Sequence, residues 1–203
     1  MRGTVNKSIA IIGEGETEWF YFDSLRIAKR YPFRLVPGLP SHSDIGHMLS
    51  LADRYIRERF DYVICLIDMD RMKQVPADMA KYQAAKRSKA YRSVWFVETH
   101  PCTEFWFLLH FLPDLSKRKY NSCDELVPEL QKYMPGYEKT KKYFRKTDLY
   151  RYLQEHGDID RAVRNGKLLS ELSKSNPEDE ICYSEVYKVI ELLDVVKDKK
   201  NKR

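Results

Sequence analysis

The run 62–67, YVICLI, constrains the fold of this chain more than any other segment. It is apolar without interruption and rich in β-branched side chains, which is typical of a strand buried on both faces of a parallel sheet. The run ends abruptly at Asp68-Met69-Asp70-Arg71. The sequence therefore predicts a central strand with two aspartates at its carboxyl end.

The segments around this run alternate between strand and helix patterns. Short apolar runs predict further strands at 9–12, 33–36 and 93–97. Helices are predicted at 17–30 and 75–88. A further helix is predicted to be capped by Ser43 and to carry an apolar stripe that ends at Phe60, and another to have Pro101 as its first residue. Because strands and helices alternate, we expect an α/β fold with an open, mainly parallel sheet and helices on both faces.

The pattern changes after residue 113. Helices are predicted to begin near Cys123, Lys146, Asp158 and Ser184, and no strong strand pattern appears among them. We therefore expect two units, an α/β unit at 1–113 and a helical C-terminal extension at 114–203 packed on it.

Composition limits the classes of function. A formal charge of +6 mildly favours a polyanionic partner. The cysteines, which are Cys65, Cys102, Cys123 and Cys182, form no CxxC pair, so neither a zinc site nor a redox pair is predicted. Cys65 and Cys102 are interpreted as buried thiols in a reduced, cytoplasmic compartment. Since no run of about 18 apolar residues occurs, no membrane span is expected.

Acidic residues follow two of the predicted strands. Glu14 comes after the first strand, and Asp68 and Asp70 come after the third. Ligands of open α/β sheets bind beyond the carboxyl ends of the strands, so these carboxylates are expected to meet there. Clustered carboxylates repel one another unless a cation lies between them, and a set of hard oxygen ligands favours Mg²⁺ or Mn²⁺.

Two alternatives stay open for these acids. If the strand continued past Asp68, then Asp68 and Asp70 would face the same side, and they would hold one ion jointly or two separately. Glu14 would complete the coordination or act as a general acid or base. The simpler alternative is that Asp68-Met69-Asp70-Arg71 is only a polar end of a strand.

Four segments together resemble the RloB-like proteins. They are IAIIGEGETEWFYFDSL, VICLIDMDR, ETHPCTEFWFLLHF and YSEVYKVIELL. Two departures are visible. Gly13 precedes Glu14 where relatives often carry a larger residue, and Thr99-His100 replaces the usual Ser-Asn before Pro101-Cys102.

The resemblance implies membership of the Toprim superfamily and therefore a metal-dependent nuclease. It implies a general acid/base role for Glu14 and metal binding by Asp68 and Asp70. The family's association with bacterial restriction and abortive-infection loci implies an antiviral role, with an ATPase as a partner protein. It does not distinguish RNA from DNA as the substrate.

Other polar residues near these motifs are weaker candidates. Glu18 would support the site from the first helical turn, whereas Glu16 is interpreted as solvated and Tyr21 as a packing residue. Glu104 lies in an apolar segment and is costly to bury without a partner, so a place beside the site is predicted. His110 is interpreted as a structural histidine.

Two basic stretches, 71–92 and 137–151, are candidate nucleic-acid contacts. Cations bind phosphates without reading sequence, and the aromatic residues interleaved in the second stretch can stack on unpaired bases. The predicted contacts are Arg71, Lys73, Lys86, Arg87, Lys89, Lys141, Lys142, Arg145 and Lys146. A solvated helix face with core aromatics is the alternative.

Three functions are compared on this basis. The main prediction is Mg²⁺- or Mn²⁺-dependent cleavage of nucleic-acid phosphodiester bonds. The second is a non-catalytic nucleic-acid-binding or sensor subunit that works with a partner ATPase. The third, phosphoryl transfer as in receiver domains, is disfavoured because the fourth strand is followed by Glu98-Thr99-His100 and not by a lysine.

Overall fold

The computed structural model describes residues 7–31, 33–36, 44–113 and 119–201, the last four by their backbone alone. Their strands form one five-stranded sheet with the order β2-β1-β3-β4-β5, in which only β5 is antiparallel to its neighbour. The strands are β1 Ile9–Ile12, β2 Arg34–Val36, β3 Tyr62–Asp68, β4 Val94–His100 and β5 Tyr183–Ser184. The predicted α/β fold with a mainly parallel sheet is confirmed.

The α-helices of the described residues alternate with the strands in the first half of the chain and predominate in the second half. They are α1 Glu16–Lys29, α2 Ile45–Arg57, α3 Met69–Gln74, α4 Pro76–Arg87, α5 Glu104–Leu109, α6 Cys123–Leu130, α7 Lys141–Lys146, α8 Leu149–His156, α9 Ile159–Ser175 and α10 Val186–Asn201. In the part of the chain that the structure describes, no helix combines the length and the apolar character needed to cross a bilayer.

The sheet is covered on both faces because the side chains of each strand alternate between two cores. In β3, Ile64 and Leu66 pack in one hydrophobic cluster, which also contains buried residues of α1, α5, α8 and α9. Val63, Cys65 and Ile67 pack in the other cluster, against α2, α3 and α4. The continuous apolar run of β3 is therefore explained by burial on both sides.

The C-terminal helices belong to the first of these clusters, where Leu126, Leu149, Leu169 and Val189 join the residues of α1 and α5. Helix α8 packs on α1, and α9 packs on α5. The division of the chain into units of 1–113 and 114–203 stays a prediction.

The fourth strand is longer than predicted, and the helix after it starts later. β4 continues to His100, because Thr99 and His100 pair with Ser184 and Tyr183 of β5. Pro101 follows a cis peptide bond, and α5 begins at Glu104, so Pro101 is not the first residue of a helix. A two-residue strand such as β5 is too short to produce a recognisable sequence pattern.

Two helix starts also differ from the predictions. The predicted cap Ser43 lies outside the described residues, and Asp44 caps α2 by accepting a hydrogen bond from the His47 N–H at 2.9 Å. The helix predicted near Lys146 is two helices, α7 and α8. Their separate caps, Thr140 and Asp148, accept hydrogen bonds from Tyr143 N and Arg151 N.

Candidate metal centre

Glu14 is placed by the short turn between β1 and α1. Gly15 donates its N–H to the Glu18 carboxylate at 2.8 Å, which fixes the first turn of α1. A Cβ atom at Gly13 would lie only 2.9 Å from the Cβ of Glu18, so a larger residue would force this turn to shift. Glycine at position 13 is thus matched to the close packing of Glu18.

Asp68 and Asp70 are held by different segments. Asp68, the last residue of β3, accepts hydrogen bonds at Oδ1 from Thr103 N at 2.9 Å and Thr103 Oγ1 at 3.0 Å. Asp70 lies in the first turn of α3 and accepts from Arg71 N at 2.6 Å and Cys123 N at 3.2 Å. The strand does not continue past Asp68, so the same-face alternation considered for Asp-x-Asp does not occur.

The register of the sheet brings Glu14 to the end of β3. Ile12 pairs with Cys65, so β3 runs three residues further than β1 does, to Asp68. Asp68 donates its N–H to Glu14 Oε1 at 3.2 Å, and Glu14 Oε2 lies 4.0 Å from Arg71 Nη1. A cavity of about 180 Å³ opens there, lined by Glu14, Gly15, Glu18, Asp68, Asp70, Arg71 and Lys139.

The three predicted ligands line this cavity without forming a tight cluster. Within the described ranges, the one group of potential ligand atoms that lie within 4.8 Å of one another is Cys102, Glu104 and Cys123. The two sulfur atoms of that group are joined in a disulfide, and Glu104 is ion-paired with Lys139 at 3.2 Å. That group therefore lacks the free thiolates a metal needs.

Burial and like charges destabilise the ionised carboxylates of the cavity. Burial, followed by the neighbouring Glu18, raises the pKa of Glu14 to about 8. Burial, then Glu18 and Glu14, raises the pKa of Asp68 well above its usual value, and Lys139 lowers it in part. A divalent cation would reverse both effects, because it stabilises the ionised forms and separates the negative charges.

The other acidic candidates have distinct environments. Glu18 is buried and lines the cavity, whereas Glu16 is ion-paired with Lys141 at 2.7 Å. Tyr21 is fully buried and accepts a hydrogen bond from Trp106 Nε1 at 2.8 Å, as expected for a packing residue.

Glu104 is completely buried and satisfied by three side chains from two segments of the chain. Its Oε1 accepts hydrogen bonds from Tyr137 OH at 2.8 Å and Thr17 Oγ1 at 3.2 Å, and Lys139 contributes the ion pair. His110, on the same helical segment, instead contacts Trp106 O through Nδ1 at 3.0 Å. Burial lowers the pKa of His110 to about 4, so it is neutral at pH 7.

The predicted nucleic-acid contacts are spread over several surfaces. Arg71 lines the cavity, and Arg87, Lys89, Lys142, Arg145 and Lys146 are exposed. The remaining three are exposed residues in ion pairs, Lys73 with Glu180, Lys86 with Glu98 and Lys141 with Glu16.

The proposal that aromatics of 137–151 stack on bases is wrong for three of them. Tyr137, Phe144 and Tyr150 are at most 3% exposed and pack in the first hydrophobic cluster. The basic side chains of that stretch remain on the surface, so its alternation of basic and aromatic residues reflects the two faces of α7 and α8.

Cys102 and Cys123 form a disulfide with a Cα–Cα distance of 5.7 Å, contrary to the prediction of a buried thiol at Cys102. Cys65 and Cys182 are free and buried. Spacing rules based on CxxC could not reveal this bond, because the fold joins cysteines 21 positions apart. It links the segment before α5, where Thr103 holds Asp68, to the start of α6, where Cys123 N contacts Asp70.

Reduction of this disulfide is expected to lower the free energy of unfolding by about 3 kcal/mol, because a closed loop of about 20 residues restricts the unfolded chain. Urea unfolding with and without reductant measures the loss. The Cys102→Ala/Cys123→Ala variant is the control, since reductant should not change its midpoint. Four reactive thiols in the unreduced, denatured wild-type protein would contradict the bond.

Two residues that act at this site were not singled out from the sequence, Lys139 in the cavity lining and Thr103, which holds Asp68. Lys139 was one cation among several in a basic stretch, and Thr103 had no pattern of its own. Folding brings each of them to a partner far away in the sequence. Thr103 lies 35 residues after Asp68, and Lys139 lies 35 residues after Glu104. No local spacing signals such contacts.

The comparison with known proteins agrees with the quoted motifs. The sequence model of the family described as RloB-like protein matches residues 9–193. No curated protein and no solved structure matches the chain. Because the family match covers nearly all of the chain, including the residues that line the cavity, the protein belongs to the RloB-like family.

Proposed function

We propose that the protein is a metal-dependent nuclease that cleaves phosphodiester bonds of RNA or DNA, with Mg²⁺ or Mn²⁺ held by Glu14, Asp68 and Asp70. The observation that carries this proposal is that the carboxylates from two strand ends line one cavity, where Asp68 N contacts Glu14 at 3.2 Å. The family membership supports it through the resemblance to Toprim-type nucleases.

The chemistry of the donor set fits a hard divalent cation, and binding would draw the three carboxylates closer together than they lie in the structure. The cavity offers carboxylate oxygens, with no histidine or cysteine among the described residues that line it. The contacts of Asp68 with Thr103 involve Oδ1 and leave Oδ2 for a cation. When bound, the metal would polarise the phosphate and stabilise the leaving oxygen.

The chain's own residues would divide the remaining tasks. Asp68 and Asp70 would fix the cation, since Thr103 and Cys123 N orient their carboxylates. Glu14 would ligate it or hold a proton, and its pKa of about 8 without a cation is suited to proton transfer near neutral pH. The exposed basic residues would hold the polyanion near this acidic centre.

The biological role follows from the resemblance. A nuclease of this family would act as an antiphage, abortive-infection effector with an ATPase as its partner, and the free, buried Cys65 and Cys182 support the predicted cytoplasmic location. The second candidate, a non-catalytic sensor subunit, is distinguished by metal binding, because a degenerate site need not bind Mg²⁺ or Mn²⁺.

Incubation of the purified protein with Mn²⁺ and a panel of transfer RNA, single-stranded RNA and single- and double-stranded DNA is expected to cleave at least one of these. EDTA should stop the reaction, because the carboxylates alone cannot polarise the phosphate. Titration calorimetry with Mn²⁺ gives an independent readout of the site. Heat from Mn²⁺ binding without cleavage of any substrate would favour the need for a partner, and absence of both would contradict the proposal.

A further inference from the structure

A lysine from the C-terminal half of the chain lies at the acidic cavity. Lys139, just before α7, lines it together with Glu14 and Asp68. Its side chain is 49% exposed, and its Nζ lies 3.2 Å from Oε1 of the completely buried Glu104. The side chain is therefore half accessible to solvent while its ammonium is held by a buried carboxylate.

The Glu104 carboxylate, which holds the Lys139 ammonium, is fixed by several contacts. Tyr137 and Thr17 both donate to Oε1 of Glu104, at 2.8 and 3.2 Å. Lys139 Nζ lies 3.4 Å from Oε2 of the same carboxylate and 3.7 Å from the sulfur of Cys123, which is a weak acceptor. Glu104 is thus the one strong acceptor of the Lys139 ammonium among these contacts. The ammonium can still donate a hydrogen bond to a ligand.

The charge of the cavity lining indicates a role for the Lys139 ammonium. Among the residues that the structure describes, the lining carries four acidic residues, Glu14, Glu18, Asp68 and Asp70, but only two cations, Arg71 and Lys139. A phosphodiester entering such a cavity would be repelled unless fixed positive charges met its oxygens. A lysine needed only as a counter-ion of Glu104 would be buried with it, yet Lys139 faces the cavity.

We propose that Lys139 is a phosphate-binding residue, whose ammonium donates to a non-bridging oxygen of a nucleic-acid phosphodiester at the carboxylate cavity, with Glu104 as its positioning residue. The inference rests on the proposed function and deepens it. Lysine meets phosphate as a point charge without reading bases, so the contact would position the backbone of RNA or DNA independently of sequence.

Binding can be measured without cleavage. Fluorescence anisotropy of a labelled single-stranded oligonucleotide, with Ca²⁺ in place of Mg²⁺, gives the affinity over a range of salt concentrations. Lys139→Ala is expected to weaken binding about 10-fold and to reduce the slope of log affinity against log salt by about 1, because one phosphate contact is lost. Lys139→Arg should keep the slope, since it keeps the charge.

A matched control is Lys167→Ala, which removes a lysine of similar exposure, 46%, that is ion-paired with Glu191 and does not line the cavity. It should change neither affinity nor slope. Lys139→Gln covers the case in which alanine unfolds the chain, because glutamine can still donate to Glu104 without a charge.

The outcomes separate this inference from the nuclease assignment. Unchanged affinity and slope in both Lys139→Ala and Lys139→Gln overturn the phosphate contact, as does a wild-type protein that binds no oligonucleotide. Lys139-dependent binding supports the contact even if the wild-type protein cleaves no substrate with Mn²⁺, a result that would count against the nuclease alone.

Discussion

Replacing Asp68 by asparagine is expected to abolish Mg²⁺-dependent cleavage while the chain stays folded. Asparagine keeps an oxygen that can accept the two hydrogen bonds from Thr103, so the local structure is retained. It removes the charge that a hard cation needs. The loss should exceed about 100-fold, because even the removal of partners outside the ligand shell costs 10–100-fold in metal sites.

The same variant should be more resistant to heat than the wild-type protein when no divalent ion is present. Asp68 is destabilised as an anion by burial and by Glu18 and Glu14, so a neutral side chain relieves repulsion. Addition of Mg²⁺ should raise the unfolding temperature of the wild-type protein and not that of Asp68→Asn. The lost response to Mg²⁺ identifies a metal ligand, since replacing a purely structural residue would leave that response unchanged.

A control for this prediction is Asp124→Asn, which neutralises an exposed carboxylate in the first turn of α6 outside the cavity lining. Its cleavage rate and its response to Mg²⁺ should match those of the wild-type protein. The assignment of the ligands fails if the Asp68→Asn/Asp70→Asn double variant retains Mg²⁺-dependent cleavage.

The sheet could be predicted because its strands carry the signal within themselves. In β3 the residues on both faces are buried, so the apolar run is unbroken and the central position follows from composition alone. The position of Glu14 beside Asp68 also follows from the strand-end rule, without knowledge of the register. Local sequence patterns were enough to predict an element wherever the burial of a short segment is reflected in its own composition.

Contacts between distant segments were not predictable in this way. Nothing in the sequence around Lys139 indicates that it meets Glu104, or that Cys102 bonds to Cys123. The end of β4 was missed for the same reason, because Thr99 and His100 are held in the sheet by β5, more than 80 positions later. Tertiary pairing, not local propensity, decides these features.

Replacing Glu104 by leucine is expected to lower the free energy of unfolding by about 4 kcal/mol, because each orphaned buried hydroxyl costs roughly 1–3 kcal/mol. Tyr137 and Thr17 are both fully buried and would face a methyl group, while the half-exposed Lys139 would turn to water and add little. Urea unfolding measures the loss. Glu104→Gln, which keeps an acceptor for the hydroxyls, should lose less than half as much.

The same experiment tests whether 114–203 is a separate unit. Glu104 lies in α5, and its partner Tyr137 lies beyond α6, so the carboxylate ties the C-terminal half to the sheet. If both halves unfold as one cooperative unit, Glu104→Leu should shift a single transition, followed identically by tryptophan fluorescence and circular dichroism. If the halves are independent, the variant should split the transition in two. A stability equal to that of the wild-type protein would show that Glu104 is not the buried acceptor of these contacts.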